Sequence, residues 1–378
     1  MAINLRSPKY ITLAPPSTSA YAILTLSVGQ GTSTGTILRY TLRKNITDTS
    51  VLVAFEVSEL LRDFLDISFD GSYNGQAIRV VAALTAYNSS DTFLTATGFD
   101  LFAFDSYSYF EESNFDVEEK SSMISNKLIF ALNDNSVRIP INTSKSPVVT
   151  FLKDGNIVNT ISYSSSNLPV GQIAYATVNA TANSESYIDR VLGDGGVLER
   201  SKCLTDFLNE FEISEADEVR ISNNTGSLEI IKIKTLQECK YEPKKFTFIN
   251  KFGALQDIYF FKKQVNKMDV TKESYNANTL NSFYSYDRSV HTKRDFNIKA
   301  KESFTFSSGY LSEEYNEVFK QMMLSEKVWI TNITETEEQV LPINVKTSNI
   351  TYKTSLNDRL VEYTIEFENS YNVLNDIR

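Results

Sequence analysis

Near its end this chain repeats with a period of two. Val361, Tyr363, Ile365 and Phe367 take one parity, and Glu362, Thr364, Glu366 and Glu368 take the other. Successive side chains of a β-strand point to opposite faces, so this pattern calls for a strand with one face buried. The same alternation, or a short apolar run closed by Gly, Asn, Asp or Ser, returns through most of the chain. It marks strands at Tyr21–Val28, Thr36–Leu42, Val51–Val57, Ile78–Leu84 and Phe93–Ala96, then at Leu128–Leu132, Val148–Lys153, Ile157–Tyr163 and Ile173–Val178. Further strands follow at Val219–Ser222, Leu228–Lys234, Lys244–Ile249, Ile258–Phe261, Phe296–Phe306, Val328–Ile330 and Val340–Val345. Asp154-Gly155-Asn156 and Asn223-Asn224-Thr225-Gly226 read as hairpin turns. A content of 24 Phe and 20 Tyr against 14 Gly also favours half-buried strands over a helical bundle.

Helical spacing appears in three places. Ser58 is placed to cap a helix whose stripe is Val57, Leu60, Leu61, Phe64 and Leu65. Cys203, Leu204, Phe207, Leu208 and Phe211 mark a second helix. Ser312 is expected to cap the third, with Glu313 and Glu314 at its positive end and Tyr315, Val318, Phe319, Met322 and Met323 as its buried stripe. A length of 378 residues exceeds what one core usually supports. The expected fold class is therefore mainly β with a few short helices. Residues 1–108 read as an N-terminal β-sandwich of fibronectin or immunoglobulin kind, 109–240 as a second β domain, and 241–378 as a C-terminal α+β domain.

Charge is unevenly spread. The chain carries a formal net charge of −10, yet Tyr241–Lys301 holds 12 Lys and Arg against 6 Asp and Glu, with twelve Phe and Tyr interleaved. This band reads either as a solvated sheet face or as a docking surface. In the docking reading Arg288, Lys293 and Arg294, with Tyr284 and Tyr286, meet an acidic patch. Head-to-tail self-association would satisfy both the basic band and the acidic remainder. A second aromatic stretch, Phe99–Phe115, contains Tyr107, Tyr109 and Phe110; it reads as an exposed contact loop or as a strand packed beneath the next domain.

Chemistry is hard to place on this sequence. Its one histidine, His291, lies among cations, which disfavours the protonated imidazole that a triad base must form. Cys203 and Cys239 have no partner at zinc-ligand spacing and make no disulfide framework, so no metal, cofactor or catalytic residue is expected. The glycine-rich Gly29–Gly35 lacks the Lys-Ser or Lys-Thr of a phosphate loop and reads as a turn. Gly193-Asp194-Gly195-Gly196 lacks the acid spacing of a calcium loop. A pI near 4.9 argues against nucleic acid as principal ligand. No apolar run is long enough for membrane insertion as a helix, and the opening Met-Ala-Ile-Asn-Leu-Arg has no secretory signal, so assembly in a cytoplasm is expected.

Several stretches together resemble virion structural proteins of tailed phages and prophages of Bacteroidota. They are Ile3-Asn-Leu-Arg-Ser-Pro-Lys-Tyr-Ile, Val57-Ser-Glu-Leu-Leu-Arg-Asp-Phe-Leu, Glu238-Cys-Lys-Tyr-Glu-Pro, Asn250-Lys-Phe-Gly-Ala-Leu-Gln-Asp, Ser325-Glu-Lys-Val-Trp-Ile and the closing run from Thr351 to Glu368. The resemblance implies a non-enzymatic component of a tail, tail tip, baseplate or neck, located in the virion and partnered by other copies of itself and other tail or neck proteins. Two alternatives stand beside it. One is a receptor-binding protein whose Phe99–Phe115 aromatics touch host surface glycan; the other is a tail-associated glycan-cleaving enzyme, since paired carboxylates meet in space rather than in sequence.

Overall fold

A computed structural model describes residues 2–30, 36–73, 77–112, 120–132, 137–142, 146–162, 173–178, 188–189, 200–201, 216–223, 226, 228–236, 240–280, 282–333, 338–351 and 360–374. The helix expected over Cys203–Phe211, the turn at Gly193–Gly196, Phe115 and both cysteines lie outside the described residues. The chain is mainly β, as the alternation requires, and forms two compact units. The first comprises Met1–Glu238, Thr247–Ile258 and Glu314–Ser325; the second comprises Cys239–Phe246, Tyr259–Glu313 and Glu326–Arg378.

In the first unit, the initial elements are β1 (Ala2–Asn4), β2 (Tyr10–Leu13), β3 (Tyr21–Gln30), β4 (Ile37–Asn45), β5 (Val53–Glu56), α1 (Ser58–Arg62), β6 (Ile78–Tyr87) and β7 (Phe93–Phe104). A five-stranded sheet runs β1-β7-β6-β3-β4, with β1 parallel to β7 and the other pairs antiparallel. Along β6 every second residue is buried, which puts Ile78, Val80, Ala82, Leu84 and Ala86 on the core face. The β2–β5 ribbon and α1 share that core through Ile11, Leu13, Val53, Phe55, Val57 and Leu61. Ser58 does not cap α1. It is the first helical residue, its hydroxyl and amide turn back to the Glu56 carboxylate, and Val57 holds the N-cap position without a side-chain bond. The strand expected to end at Ala96 continues to Phe104.

Next come β8 (Leu128–Leu132), β9 (Val137–Asn142), β10 (Val148–Lys153), β11 (Asn156–Ser162), β12 (Ile173–Val178), β13 (Ile188–Asp189), β14 (Arg200–Ser201), β15 (Glu218–Ser222) and β16 (Leu228–Leu236). They make a five-stranded sheet, β11-β10-β15-β16-β8, and a four-stranded one, β14-β13-β12-β9. Ile139 and Ile141 of β9 pack with Val149, Phe151, Val219, Ile221 and Ile231 of the other sheet, so a shared core joins the two. Asp154 and Gly155 both have positive φ, at 48° and 81°, and span the two-residue β10–β11 hairpin as a type I′ turn requires.

The remaining elements are β17 (Lys244–Ile249), β18 (Leu255–Phe260), β19 (Gln264–Asn276), β20 (Lys293–Ser312), α2 (Tyr315–Leu324), β21 (Val328–Ile333), β22 (Glu338–Val345) and β23 (Leu360–Asn369). Helix α2 belongs to the first unit, where Tyr315, Val318, Phe319 and Met322 are buried as expected. Ser312 is not its cap: β20 stays extended through that residue, and the helix opens with Glu314 at the N-cap and no side-chain bond.

The second unit is built on a seven-stranded sheet ordered β18-β17-β21-β22-β23-β20-β19, with β17 and β18 contributing residues to both units. Phe246, Phe260, Phe306 and Phe367 form its aromatic centre, with Phe246 at 4.7, 5.0 and 4.7 Å from the other three rings. Tyr363, Ile365 and Phe367 are buried, while Thr364 is exposed and Glu362, Glu366 and Glu368 are half-buried. The period-two row of Tyr363, Ile365 and Phe367 is therefore the core face of β23.

Candidate functional site

The basic band divides physically. Its first part, through Phe261, supplies buried strand residues such as Phe246, Phe248, Ile258 and Phe260. Its second part leaves the sheet as a long antiparallel hairpin made by β19 and the first half of β20. All thirteen residues of β19 are exposed, and so are Lys293–Lys299 of β20. Residues 277–280 and 282–292 form the described part of the tip, closed at its base by Ala277 N donating to Thr292 O at 2.7 Å.

Pairing register decides what each face of this arm carries. Opposed pairs run from Gln264–Phe306 to Thr271–Lys299, then resume at Glu273–Phe296 and end at Asn276–Lys293. The core-side row of β20, Phe306 and Phe304, therefore continues outward on the same face through Ala300 and Ile298. There it is joined by Met268 and Val270. Ile298, Met268 and Val270 are each about half exposed, so apolar side chains continue past the end of the core into solvent on this face, interrupted by Glu302 opposite Met268. Beyond it the ribbon is irregular. Asn297 is left-handed at φ 49°, and it and Ile298 together oppose the single Lys272, so the extra residue is on β20. A bulge of this kind reverses the side-chain parity. Phe296 consequently does not lie with Ile298 and Ala300, as the uninterrupted alternation suggested. It turns to the other face and meets Tyr275 edge-on at 5.6 Å.

The tip carries three of the expected contact residues, and the start of β20 beside it carries two more, Lys293 and Arg294. Tyr284 is 87% exposed and Tyr286 65%, beside Phe283 at 86%. Tyr284 has φ 58°, a conformation an aromatic residue rarely adopts. Arg288, Lys293 and Arg294 are all exposed; Arg294 Nε donates to His291 O at 3.4 Å. Lower on the arm, Lys267–Asp269 at 2.8 Å and Lys272–Asp295 at 2.6 Å pair charges across solvent-exposed surface.

The other three expected contact residues lie in the first unit and fare differently. Tyr107 is buried, with the Arg6 guanidinium 4.7 Å over its ring. Burial pushes its hydroxyl pKa up to about 12. Tyr109 is half-buried between Lys320, 3.6 Å from the ring centroid, and Lys251 at 4.6 Å, and its hydroxyl donates to Glu317 Oε1 at 2.8 Å. Burial and that carboxylate raise its pKa further. Phe110 alone of the three stands fully in solvent. Of the two readings of Phe99–Phe115, packing beneath other elements describes Tyr107 and Tyr109, and exposure describes Phe110.

One polar cluster in the first unit has the composition of a reactive site. Tyr73 is buried and donates to Asp257 Oδ1 and Oδ2 at 2.5 and 2.6 Å, and Thr247 Oγ1 donates to Oδ1 at 2.7 Å. The Arg138 guanidinium lies 4.0 Å from the Tyr73 ring centroid. Burial first, and the Asp257 charge second, hold the Tyr73 hydroxyl protonated far above its ordinary range. It is a fixed donor rather than a base or nucleophile. Among the described residues no group of three His, Cys, Asp or Glu is placed to hold a metal ion, and no helix is long and apolar enough to cross a membrane.

Sequence reasoning placed the tip residues but passed over β19. A strand exposed on both faces has no period-two signature to find. The legible trace is weaker: Val265, Val270, Thr271 and Tyr275 favour strand, while charges fall on both parities of the same stretch. No protein-family model and no curated protein matches the chain.

Proposed function

We propose that this protein is a non-enzymatic structural subunit of a tailed-phage virion, part of the tail, tail tip, baseplate or neck, that joins neighbouring copies and other virion subunits through its hairpin arm. The observation that carries the reading is the arm itself. A two-stranded hairpin is at best marginally stable in water, yet this one projects Met268, Val270, Ile298, Phe283, Tyr284 and Tyr286 into solvent. Exposed aromatic and aliphatic side chains on a cationic projection, in a chain of net charge −10, are the makings of a contact with an acidic protein surface. The family resemblance supplies the setting, and the arm supplies the means of attachment.

The test is charge reversal at the tip. Arg288→Glu, Lys293→Glu and Arg294→Glu together should abolish higher-order assembly of the purified protein at low salt, as read by mass photometry. They should also lower its copy number in particles. Assembly and incorporation equal to wild type would refute the reading.

A further inference from the structure

Strand β19 ends the seven-stranded sheet, and among the described residues no other strand pairs with its outer edge. Which backbone groups face outward follows from neighbouring bonds. Ala300 O accepts from Val373 N at 3.1 Å, on the side of β20 away from β19. Ser307 N and O, by contrast, bond Lys263 O and Lys262 N just ahead of β19, at 3.3 Å each. Odd residues of this part of β20 therefore face β19, and even ones face away. In an antiparallel ladder, opposed residues either exchange both bonds or both point away. Val270 opposes Ala300, so it points outward, and Met268, Asn266 and Gln264 do the same at period two. Their N–H and C=O groups line the open edge. Natural proteins normally blunt such an edge with proline, a bulge, a covering loop or charged side chains, and of these β19 carries only the last, as Lys267 and Asp269. From Gln264 to Thr271 this one is regular, proline-free and exposed.

The side chains along that edge are their own complement. Centred on Met268, the strand reads Val265, Asn266, Lys267, Met268, Asp269, Val270, Thr271. An antiparallel second strand of the same sequence, aligned Met268 on Met268, sets Lys267 against Asp269 and Asp269 against Lys267. It also sets Asn266 against Val270 and one β-branched residue, Val265, against another, Thr271. The outward-facing residues then exchange main-chain bonds, and the Lys–Asp pairs fall at the non-bonded positions where opposed side chains come closest. Registers centred on Lys267 or Asp269 put like charges face to face, and one centred on Val270 sets the apolar Met268 against the Lys272 ammonium.

We infer that β19 is a β-augmentation edge whose occupant is β19 of a second copy, paired antiparallel about a two-fold axis through Met268. This rests on the assembly reading above and names the partner and geometry for one part of the arm. The experiment is sedimentation of the full chain across micromolar concentrations. Wild type should reach a two-chain mass. Lys267→Asp sets aspartates against each other at both symmetry-related positions and should weaken association at least tenfold. Lys267→Asp with Asp269→Lys should restore it. Met268→Pro removes one outward N–H while leaving every bond within the hairpin, so it should remove the two-fold pairing with an unchanged circular dichroism spectrum. A double variant no better than Lys267→Asp alone overturns the inference, and if that variant still assembles by its tip, the assembly reading stands without it. Single chains for wild type at every concentration, together with absence from particles, overturn both.

Discussion

Gly309→Ala offers the sharpest test of how the root of the arm is built. Gly309 sits at φ +71° in the bulge where the β20–β23 register shifts between Ser307 and Tyr310. A Cβ at this position would meet Phe261 ring atoms at 2.3, 2.6 and 2.9 Å. Two costs arise, with different origins. Left-handed backbone costs an L-residue about 1–2 kcal/mol. Overpacking a buried ring adds about 1–3 kcal/mol, because Phe261 is enclosed and cannot swing clear. The substitution should therefore destabilise the second unit by about 2–5 kcal/mol, read from urea unfolding and from hydrogen exchange of β20 and β23 amides. Trimming the ring separates the terms. Relative to Phe261→Leu alone, adding Gly309→Ala should cost only the backbone part, about 1–2 kcal/mol. If Gly309→Ala falls within about 0.5 kcal/mol of wild type, or is neutral on the Phe261→Leu background, the account of this bulge is wrong.

Two further outcomes follow from the first unit. Tyr73→Phe removes the phenolic donor from a carboxylate that accepts it through both oxygens, and should cost about 1.5–3 kcal/mol in denaturant stability; an unchanged midpoint would mean water replaces the bond without loss. Glu112 responds to pH. Burial raises its pKa, but the Lys251 ammonium and the Tyr109 amide outweigh that and hold it below the ordinary 4.5. Its contribution is thus complete above about 4.5 and is lost as pH falls through the lowered folded value. A pH series of unfolding midpoints should fall more steeply below pH 4.5 in wild type than in Glu112→Gln, and parallel curves would refute the pairing.

The parts of the fold that were legible in the sequence are those where one face meets water and the other does not. β23 announced itself because Phe367 is fully enclosed and its chain neighbours Glu366 and Glu368 are only half-buried, and α2 because Tyr315, Val318, Phe319 and Met322 recur at helical spacing and are all buried. Cap assignments failed at Ser58 and Ser312 for different reasons, a competing acceptor in one case and extended backbone in the other. Ser58 finds the Glu56 carboxylate, and Ser312 is still held in the strand by its pairing with Leu360. The candidate site was half visible. Arg288, Tyr284 and Tyr286 stand out by composition alone. Met268 and Val270 do not, because a ribbon wetted on both faces leaves no alternation. The turn of Phe296 away from Ile298 depends on one left-handed residue, Asn297, and nothing in the apolar pattern foretells it.

That reversal shapes how the arm can be held. Near the root, its greasy stripe of Met268, Val270 and Ile298 lies on one side of the ribbon; beyond Asn297, Tyr275 and Phe296 lie on the other. A flat wall can shelter one stripe and must leave the other wet. A partner of the kind proposed above that sheltered both would have to reach around the ribbon or grip it between two bodies, as a slot holds a tongue.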